Sequence, residues 1–590
     1  MPNWGQFNWG QGYWGELSYA ELKAAISRTP CSKMVMTLDY CGRTFGVSPC
    51  LATGEPCFNT YPTCKYISAY LKQSKDYKFT SANAPLPFQG PRPYIDSVKY
   101  MPTEIKDNKT VTSRVKINLH DEPDTDAGGI DPYLALRASV QGNFWQKLLA
   151  RNPNYKGRQV KLSEGFLGII ETDFQQKFVG NIENIKLNKN GSVELELIDL
   201  LKSLSNVEIP AKVNVKLVIN IDNSQTTITV DDASELDDPA AETKYVRIDD
   251  EIISYTTRNL TTNQISGGAR AQFTTTAATH TANTKIAKIL YYVPDNPYDI
   301  LVQILTDAGI DAAYIDTGAF TGLKTYPISD IDRKAIITEP TKADKLYFEL
   351  IDELDCKSWV NEDLKITIQK NIQNLPARTY TELTDIANII YDSVSIDLNE
   401  VSRLTRISVY WNKLIFGSVD EKDSYNRLDI FLDADAEGVN EYNDEKEKVF
   451  YSRWLYENLT TEEIFEGYIK ANFLRQLKRQ RDAQALLTLS VELKDQDVRT
   501  GDFIKITTDK LQEIDGKPFT KRIFQIVRRE PKENKIDLKT ISMPKKHVSF
   551  FAPAGTPAYT SATEAQKEKY GFFTNARGKM SNDNAGYNFY

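Results

Sequence analysis

The chain has 590 residues, 41% hydrophobic and 26% charged, proportions of a folded protein too long for one core, so three or more packing units are expected. With 72 basic against 80 acidic side chains the formal charge is -8, which disfavours a general DNA-binding surface. No stretch of about 18 apolar residues occurs, which excludes a membrane-spanning helix, and the start Met1-Pro2-Asn3-Trp4-Gly5 lacks a basic flank and apolar run, so folding in a cytoplasm is expected.

Trp4, Trp9 and Trp14 recur at five-residue spacing, each followed by a glycine. That period fits neither a helical nor a strand face. Residues 1–30 therefore read as an extended arm, either disordered or ordered by laying its indoles into pockets of a neighbouring subunit.

Residues 31–80 form a cysteine-rich segment with Cys41, Cys50, Cys57 and Cys64 in one short window. Gaps of eight, six and six intervening residues differ from zinc-knuckle and from the usual ferredoxin spacings. Four thiolates on one turn-rich stretch can still wrap a single centre, stiffened by Pro49, Pro56 and Pro62, with Gly42, Gly46 and Gly54 permitting close backbone approach. Clustering favours a metal, because a disulfide scaffold would spread its cysteines more widely and expect an oxidising compartment. From the residues alone, iron–sulfur and zinc are equally compatible, and local disulfides or free thiols stay open. Cys31 and Cys356 have no partners at suitable spacing and read as buried apolar residues.

Residues 81–217 read as β-rich: Val111, Val115, Ile117 and Leu119 share one face of a strand, and Val179–Leu197 reads as a hairpin turning at Asn190-Gly191. A module at 218–290, rich in Thr, Ser and Asp, shows short alternating strands (Thr226–Val230, Tyr245–Tyr255, Ser266–Arg270) and reads as an inserted small barrel or sandwich. Residues 291–375 read as an α/β domain. Asn296-Pro297 opens a helix with Ile300, Leu301, Ile304 and Leu305 on one face and Gly309 at its end. Thr341 with Asp344 resembles a capping box for a second helix, carrying Ala343, Leu346, Tyr347, Leu350, Ile351 and Leu354, and a hairpin of Lys357–Val360 with Leu364–Gln369 follows. The unit 376–545 holds the strand Ile407–Trp411 and a long helix opened by Thr460 and Glu463, with Phe465, Ile469, Phe473 and Leu477 inward. Alternating Leu487, Leu489, Val491 and Leu493, then Ile504, Ile506, Ile523–Val527 and Ile536–Leu538, complete an antiparallel sheet. Residues 546–590 read as a second extended arm.

The three histidines, His120, His280 and His547, lie in different segments without a second His, Cys or Ser motif at catalytic spacing. No nucleophile elbow, phosphate loop or dinucleotide fingerprint appears. The run His120–Asp126 lacks the spacing of a known calcium loop and reads as a solvated loop. The chain is not expected to be an enzyme, although its 80 acidic residues leave paired carboxylates for glycoside cleavage open.

Several segments resemble the hub proteins of siphophage, prophage and gene-transfer-agent tails. They are Cys41-Gly42-Arg43-Thr44-Phe45-Gly46 with Phe58–Cys64, and Gly129-Ile130-Asp131-Pro132-Tyr133 continuing to Phe144-Trp145 and Leu149–Pro153. The insertion, ending Thr275–His280, looks like a small β-module frequent in phage tail proteins, and Val498–Asp502 with Ile504–Thr507 is similar to the closing β-unit of these hubs. The resemblance covers roughly residues 31–560, with the cysteine window its specific part. It implies a mixed α+β, β-rich multidomain hub with two β-barrel-like tube domains, an α/β domain and a small inserted β-module. It also implies a homotrimer that adapts a hexameric tail tube to a threefold tip. A [4Fe–4S] cluster on Cys41, Cys50, Cys57 and Cys64 is implied by cysteine position, with zinc as the alternative. Partners on this reading are a distal tail protein ring, a tape measure protein and a central tip fibre or megatron-like protein. DNA passes without specific binding, the host envelope is met indirectly, and the location is the distal end of a virion tail. The rival readings are an envelope-binding adhesin working through the insertion, a cell-wall hydrolase and a redox protein.

Overall fold

The computed structural model describes residues 29–43, 47–50, 60–81, 91–106, 109–111, 113–123, 143–240, 242–324, 331–371, 381–439, 441–457, 462–495, 497–513, 516–532, 535–542 and 563. Both expected arms, apart from Thr29, Pro30 and Thr563, and Cys57 lie outside them.

Two large, mainly antiparallel sheets dominate. The first has seven strands in the order β2 (Lys72–Thr80), β1 (Pro30–Cys41), β7 (Gln159–Phe166), β8 (Gln175–Leu187), β9 (Ser192–Asp199), β6 (Arg114–His120) and β3 (Ile95–Met101). Alternation places Met34, Met36, Val115, Ile117, Leu119, Leu162, Leu195 and Leu197 in one core. Helix α1 (Phe144–Arg151) closes that core, with Trp145 stacked on Phe79 at 5.0 Å and Phe144 edge-on to the same ring at 5.7 Å. Asp121, from the acidic run, anchors this helix by accepting from the Trp145 backbone N–H at 2.9 Å. The β8–β9 hairpin turns where expected, with Gly191 at φ +80°.

The second sheet has eight strands. Six follow the order β22 (Thr381–Thr384), β28 (Phe503–Gln512), β29 (Pro518–Pro531), β30 (Lys535–Ser542), β27 (Gln484–Glu492) and β23 (Ser395–Asn399). The other two, β4 (Glu104–Lys106) and β5 (Lys109–Val111), come from the N-terminal half, β4 pairing with β29. This corrects the single strand expected over Val111–Leu119. Ser113 breaks it, donating its backbone N–H to Asp199 Oδ2 at 2.7 Å and its hydroxyl to Met101 O at 3.1 Å. The chain thereby leaves the eight-stranded sheet at Val111 and enters the seven-stranded one at Arg114.

Smaller units accompany the two sheets. The insertion consists of β11 (Val215–Lys216), β17 (Lys285–Asp295), β13 (Lys244–Ile248) and β14 (Glu251–Tyr255), beside β12 (Ile228–Thr229), β16 (Gln264–Ser266) and β15 (Thr257–Asn259). Val215, Leu217, Ile228, Val246, Ile248, Ile253, Tyr255, Ile265 and Ile286 form its own core. Strand β17 runs on to pair with β18 (Arg333–Ile337), carrying the module into the α/β unit.

In that unit α2 (Pro297–Asp307) is capped by the Asn296 side chain, which accepts from the Tyr298 N–H at 3.1 Å, and α3 (Thr317–Lys324) follows. Helix α4 (Ala343–Glu353) buries the expected residues, but the capping box does not form. Thr341 sits in β19 (Thr341–Lys342), paired with β10 (Glu208–Ile209), and its hydroxyl donates to Glu339 O at 2.9 Å. The hairpin of β20 (Cys356–Val360) and β21 (Ile366–Lys370) presses Trp359 against Gly501. That glycine has φ +91°, and a Cβ there would lie 2.3 Å from the indole.

The long helix is α5 (Glu462–Gln480), whose Ile469, Phe473 and Leu477 pack on Ile407, Val409, Trp411 and Phe450. Those residues belong to a three-stranded sheet ordered β25 (Tyr425–Leu432), β24 (Arg406–Lys413) and β26 (Glu447–Tyr451). Thr460 and the side chains of Glu463 and Phe465 lie outside the described residues. The protein is therefore a β-rich, mixed α+β, multidomain chain, and no described helix is long and apolar enough to cross a membrane.

Candidate functional site

The cysteine window hangs from the edge of the seven-stranded sheet. Cys41 ends β1 opposite Lys72 at the start of β2, and Gly42 N–H donates to Leu71 O at 2.9 Å. Cys50 closes a turn through its N–H to Val47 O at 2.9 Å, and Cys64 closes another through its N–H to Tyr61 O at 3.1 Å. The returning segment is tied to α1 by the Thr60 hydroxyl, which donates to Arg151 O at 2.6 Å.

Tyr70 joins the two ends. Its ring meets Tyr61 edge-on at 5.3 Å, and its buried hydroxyl has no hydrogen-bond partner. Burial pushes the phenol up to about 12, and Cys41, Asp39 and Cys64 push in the same direction against Arg158. Cys41 and Cys64, more than twenty residues apart in the chain, thus both act electrostatically on one hydroxyl. Asp39 beside them is held by Arg158 at 2.6 Å and Lys72 at 3.3 Å.

The cysteines among the described residues form no disulfide, and Cys41, Cys50 and Cys64 are thiols. Cys31 and Cys356 are buried, 2% and 4% exposed, as their isolated spacing suggested. Among the described residues no three metal-ligating side chains gather at one point, but Cys57, one of the four expected ligands, is not among them. A phenol O–H without an acceptor beside two thiols suits a sulfur-rich centre, whose sulfurs accept such bonds. Tyr70 was not singled out by sequence reasoning, because a tyrosine in an aromatic-rich chain carries no distinguishing local signal.

A second constellation lies inside the insertion. Glu251, 1% exposed, accepts five hydrogen bonds: from Arg270 Nε at 2.7 Å and Nη2 at 2.6 Å, from the N–H groups of Ala271 at 3.1 Å and Ala278 at 3.0 Å, and from His280 Nε2 at 2.9 Å. His280 Nδ1 pairs with Asp249 at 2.8 Å. Burial pushes Glu251 up, but Arg270, the two N–H groups and His280 outweigh it and hold the carboxyl at about 2. Both carboxylate oxygens are engaged, so the group is a lock that pins the Gly267–His280 loop to β14. The sequence does hold a signal for it, since Glu251 stands in a strand otherwise reading Ile252-Ile253-Ser254-Tyr255.

A third cluster binds the α/β unit to the second β unit. Arg333 Nε donates to Glu353 at 2.6 Å, both 1–2% exposed, and the Ser452 hydroxyl donates to the same carboxylate. Arg479 of α5 donates to Asp355 at 2.6 Å, and Lys448 of β26 pairs with Asp352 at 2.7 Å. Burial raises Asp355, but Arg479 and Arg475 overcome it and leave the carboxyl below its ordinary range.

No family model and no curated protein matches the chain. Among solved structures it is similar to a tail protein from Neisseria meningitidis MC58, at 10% identity over 75% of this chain and 91% of that one, TM-score 0.34. It is also similar to the 43 kDa tail protein of prophage MuSo2 from Shewanella oneidensis, at 8% identity over 76% and 98%, TM-score 0.34. A third likeness is to prophage tail protein gp18 from Listeria monocytogenes EGD-e, at 11% identity over 75% and 87%, TM-score 0.30.

Proposed function

We propose that the chain is a non-enzymatic structural hub at the distal end of a phage tail, assembled as a homotrimer that closes the tube and forms the conduit for DNA. The segments resembling tail hubs give the class of protein. The observation that carries the mechanical reading is the interlock of the two sheets, in which β4 crosses to β29 and Glu104 pairs with Lys539 at 2.6 Å. Neither large sheet can then tilt without disturbing the other, as a load-transmitting ring element requires. Buried ion pairs at the α/β junction serve the same end: breaking one is costly because it strands an uncompensated charge. The net charge of -8 suits a conduit through which DNA slides without sticking.

On this reading Cys41, Cys50, Cys57 and Cys64 hold a [4Fe–4S] cluster, or zinc in its place, that cross-links a segment too poor in apolar residues to brace itself. The distal tail ring, the tape measure protein and a central tip fibre are the neighbours.

Labelling tests the placement. A gold-tagged antibody against the 218–290 module should mark the distal tip of tails in negative-stain images, and the purified protein should have the solution mass of three chains. Label distributed along the tail, or a monomer at every concentration, would overturn the reading.

A further inference from the structure

In the three-stranded sheet, β25 carries its polarity the wrong way round. A sheet with one face on a helix ordinarily turns its aliphatic side chains to that helix and its polar ones to water. In β25 the α5 side receives Arg427 and Asp429 beside Phe431, which stacks on Phe473 at 6.0 Å, and Asp429 accepts from Trp411 Nε1 at 2.7 Å. Leu428, Ile430 and Leu432 alternate with them on the outer face and stand 46%, 53% and 48% exposed. Register sets these beside Tyr410, Ser408 and Arg406 of β24, and those in turn beside Tyr451, Val449 and Glu447 of β26, where Val449 is 36% exposed. The aliphatic face is about 10 Å wide across the strands and about 14 Å long. The same stretch is acidic. Residues 420–450 hold eleven carboxylates against four basic side chains, so almost all of the formal charge of -8 sits there. Arg403 and Arg481 take up part of it, pairing with Asp444 and Asp433. At the Leu432 end of the aliphatic row, Arg406 meets three carboxylates: Glu437 at 3.0 Å, Glu445 at 3.1 Å and Glu447 across the strand pair. One guanidinium cannot neutralise three carboxylates, so that end stays negative.

We propose that this face docks an extended segment of another protein that carries aliphatic side chains at alternate positions and lysine or arginine beyond them. Single exposed aliphatic residues are ordinary on a surface, but a contiguous aliphatic face rimmed by charge marks an interaction site. Alternate residues of an extended chain lie about 7 Å apart, which is also the spacing along Leu428, Ile430 and Leu432, so each aliphatic side chain of such a segment finds a counterpart. Basic residues past the last of them meet Glu445 and Glu447. Charge selects the partner. Nucleic acid and anionic lipid would bring phosphates to a surface that repels them, and a second copy presenting the same face would set one acidic rim against another. The face lies within one chain and needs no trimer to form.

Calorimetric titration of the full-length protein tests this with two end-blocked synthetic peptides, Val-Ser-Val-Ser-Val-Lys-Lys and its acidic counterpart Val-Ser-Val-Ser-Val-Asp-Asp. The basic peptide should bind one per chain, and the acidic one about tenfold more weakly or worse. Ile430→Ser combined with Leu432→Ser should weaken the basic peptide about tenfold without lowering thermal stability, since both side chains are exposed. Glu445→Gln combined with Glu447→Gln should weaken it about threefold, as should raising salt to roughly 0.5 M. Absent binding, equal binding of the two peptides, or an affinity unmoved by the serine pair overturns the proposal. A solution mass that falls when Ile430 and Leu432 become serine assigns the face to a second copy and overturns it equally.

Discussion

Two small parts of the chain, the insertion and the cysteine segment, are held by opposite means. The insertion surrounds a core of its own and closes it with the Glu251 lock. Between Thr60 and Leu71 the chain buries only Thr60, while Tyr61, Ile67 and Leu71 stand 53%, 52% and 47% exposed. Ordering a backbone costs about 1–2 kcal/mol per residue, which this stretch cannot offset by burial. On the reading proposed above, what orders it is a centre held by the four clustered cysteines.

The largest expected effect tests that difference at the sulfurs. Cys41→Ser combined with Cys57→Ser should abolish bound metal, expose residues 42–71 to protease and prevent assembly, because a structural metal contributes on the order of 10 kcal/mol in a small unit. Elemental analysis and solution mass read it. A metal-free variant that assembles normally breaks the contrast. In the insertion, Glu251→Ala should cost about 3–5 kcal/mol by leaving Arg270 and His280 buried without their partner. Calorimetry should show a lowered transition for the module with metal content untouched.

The same lock sharpens the contrast through pH. The folded Glu251 carboxyl, at about 2, lies below its ordinary value of 4.5, so its contribution is complete above about pH 5 and is lost as pH falls from 4.5 through 2. Thermal denaturation of the module should therefore be flat above pH 5 and fall below it. Glu251→Gln should remove most of that slope, and a slope that persists would place the acid sensitivity in other carboxylates.

Patterned apolar residues were the legible part of this chain. The β8–β9 hairpin, the α2 and α4 faces and the β20–β21 pair follow from period and turn chemistry, because each is decided by neighbours a few residues away. The capping box failed where a distant strand, β10, captured Thr341, and the strand over Val111–Leu119 broke where Asp199 captured Ser113. Long-range partners with no local signature decided both. The candidate site divides in the same way: the four cysteines are visible as a cluster, whereas Tyr70, Glu251 and Arg270 acquire their roles only when remote segments meet.

Tyr70→Phe gives the smallest effect and separates two accounts of the cysteine segment by sign. If the phenol lies unpaired beside isolated thiols, deleting its hydroxyl removes a buried unsatisfied group and should raise stability by about 1 kcal/mol. If Cys41 and Cys64 ligate a centre, the hydroxyl donates to a ligand sulfur, and its loss should lower stability by a similar amount. In an iron–sulfur protein it should also move the reduction potential downward, since hydrogen bonds to cluster sulfur stabilise the reduced state. Protein-film voltammetry with urea denaturation of the same preparation reads both quantities. Metal content equal to wild type, with the two shifts together, ties Tyr70 to the centre, whereas a stabilised variant leaves the thiols without one.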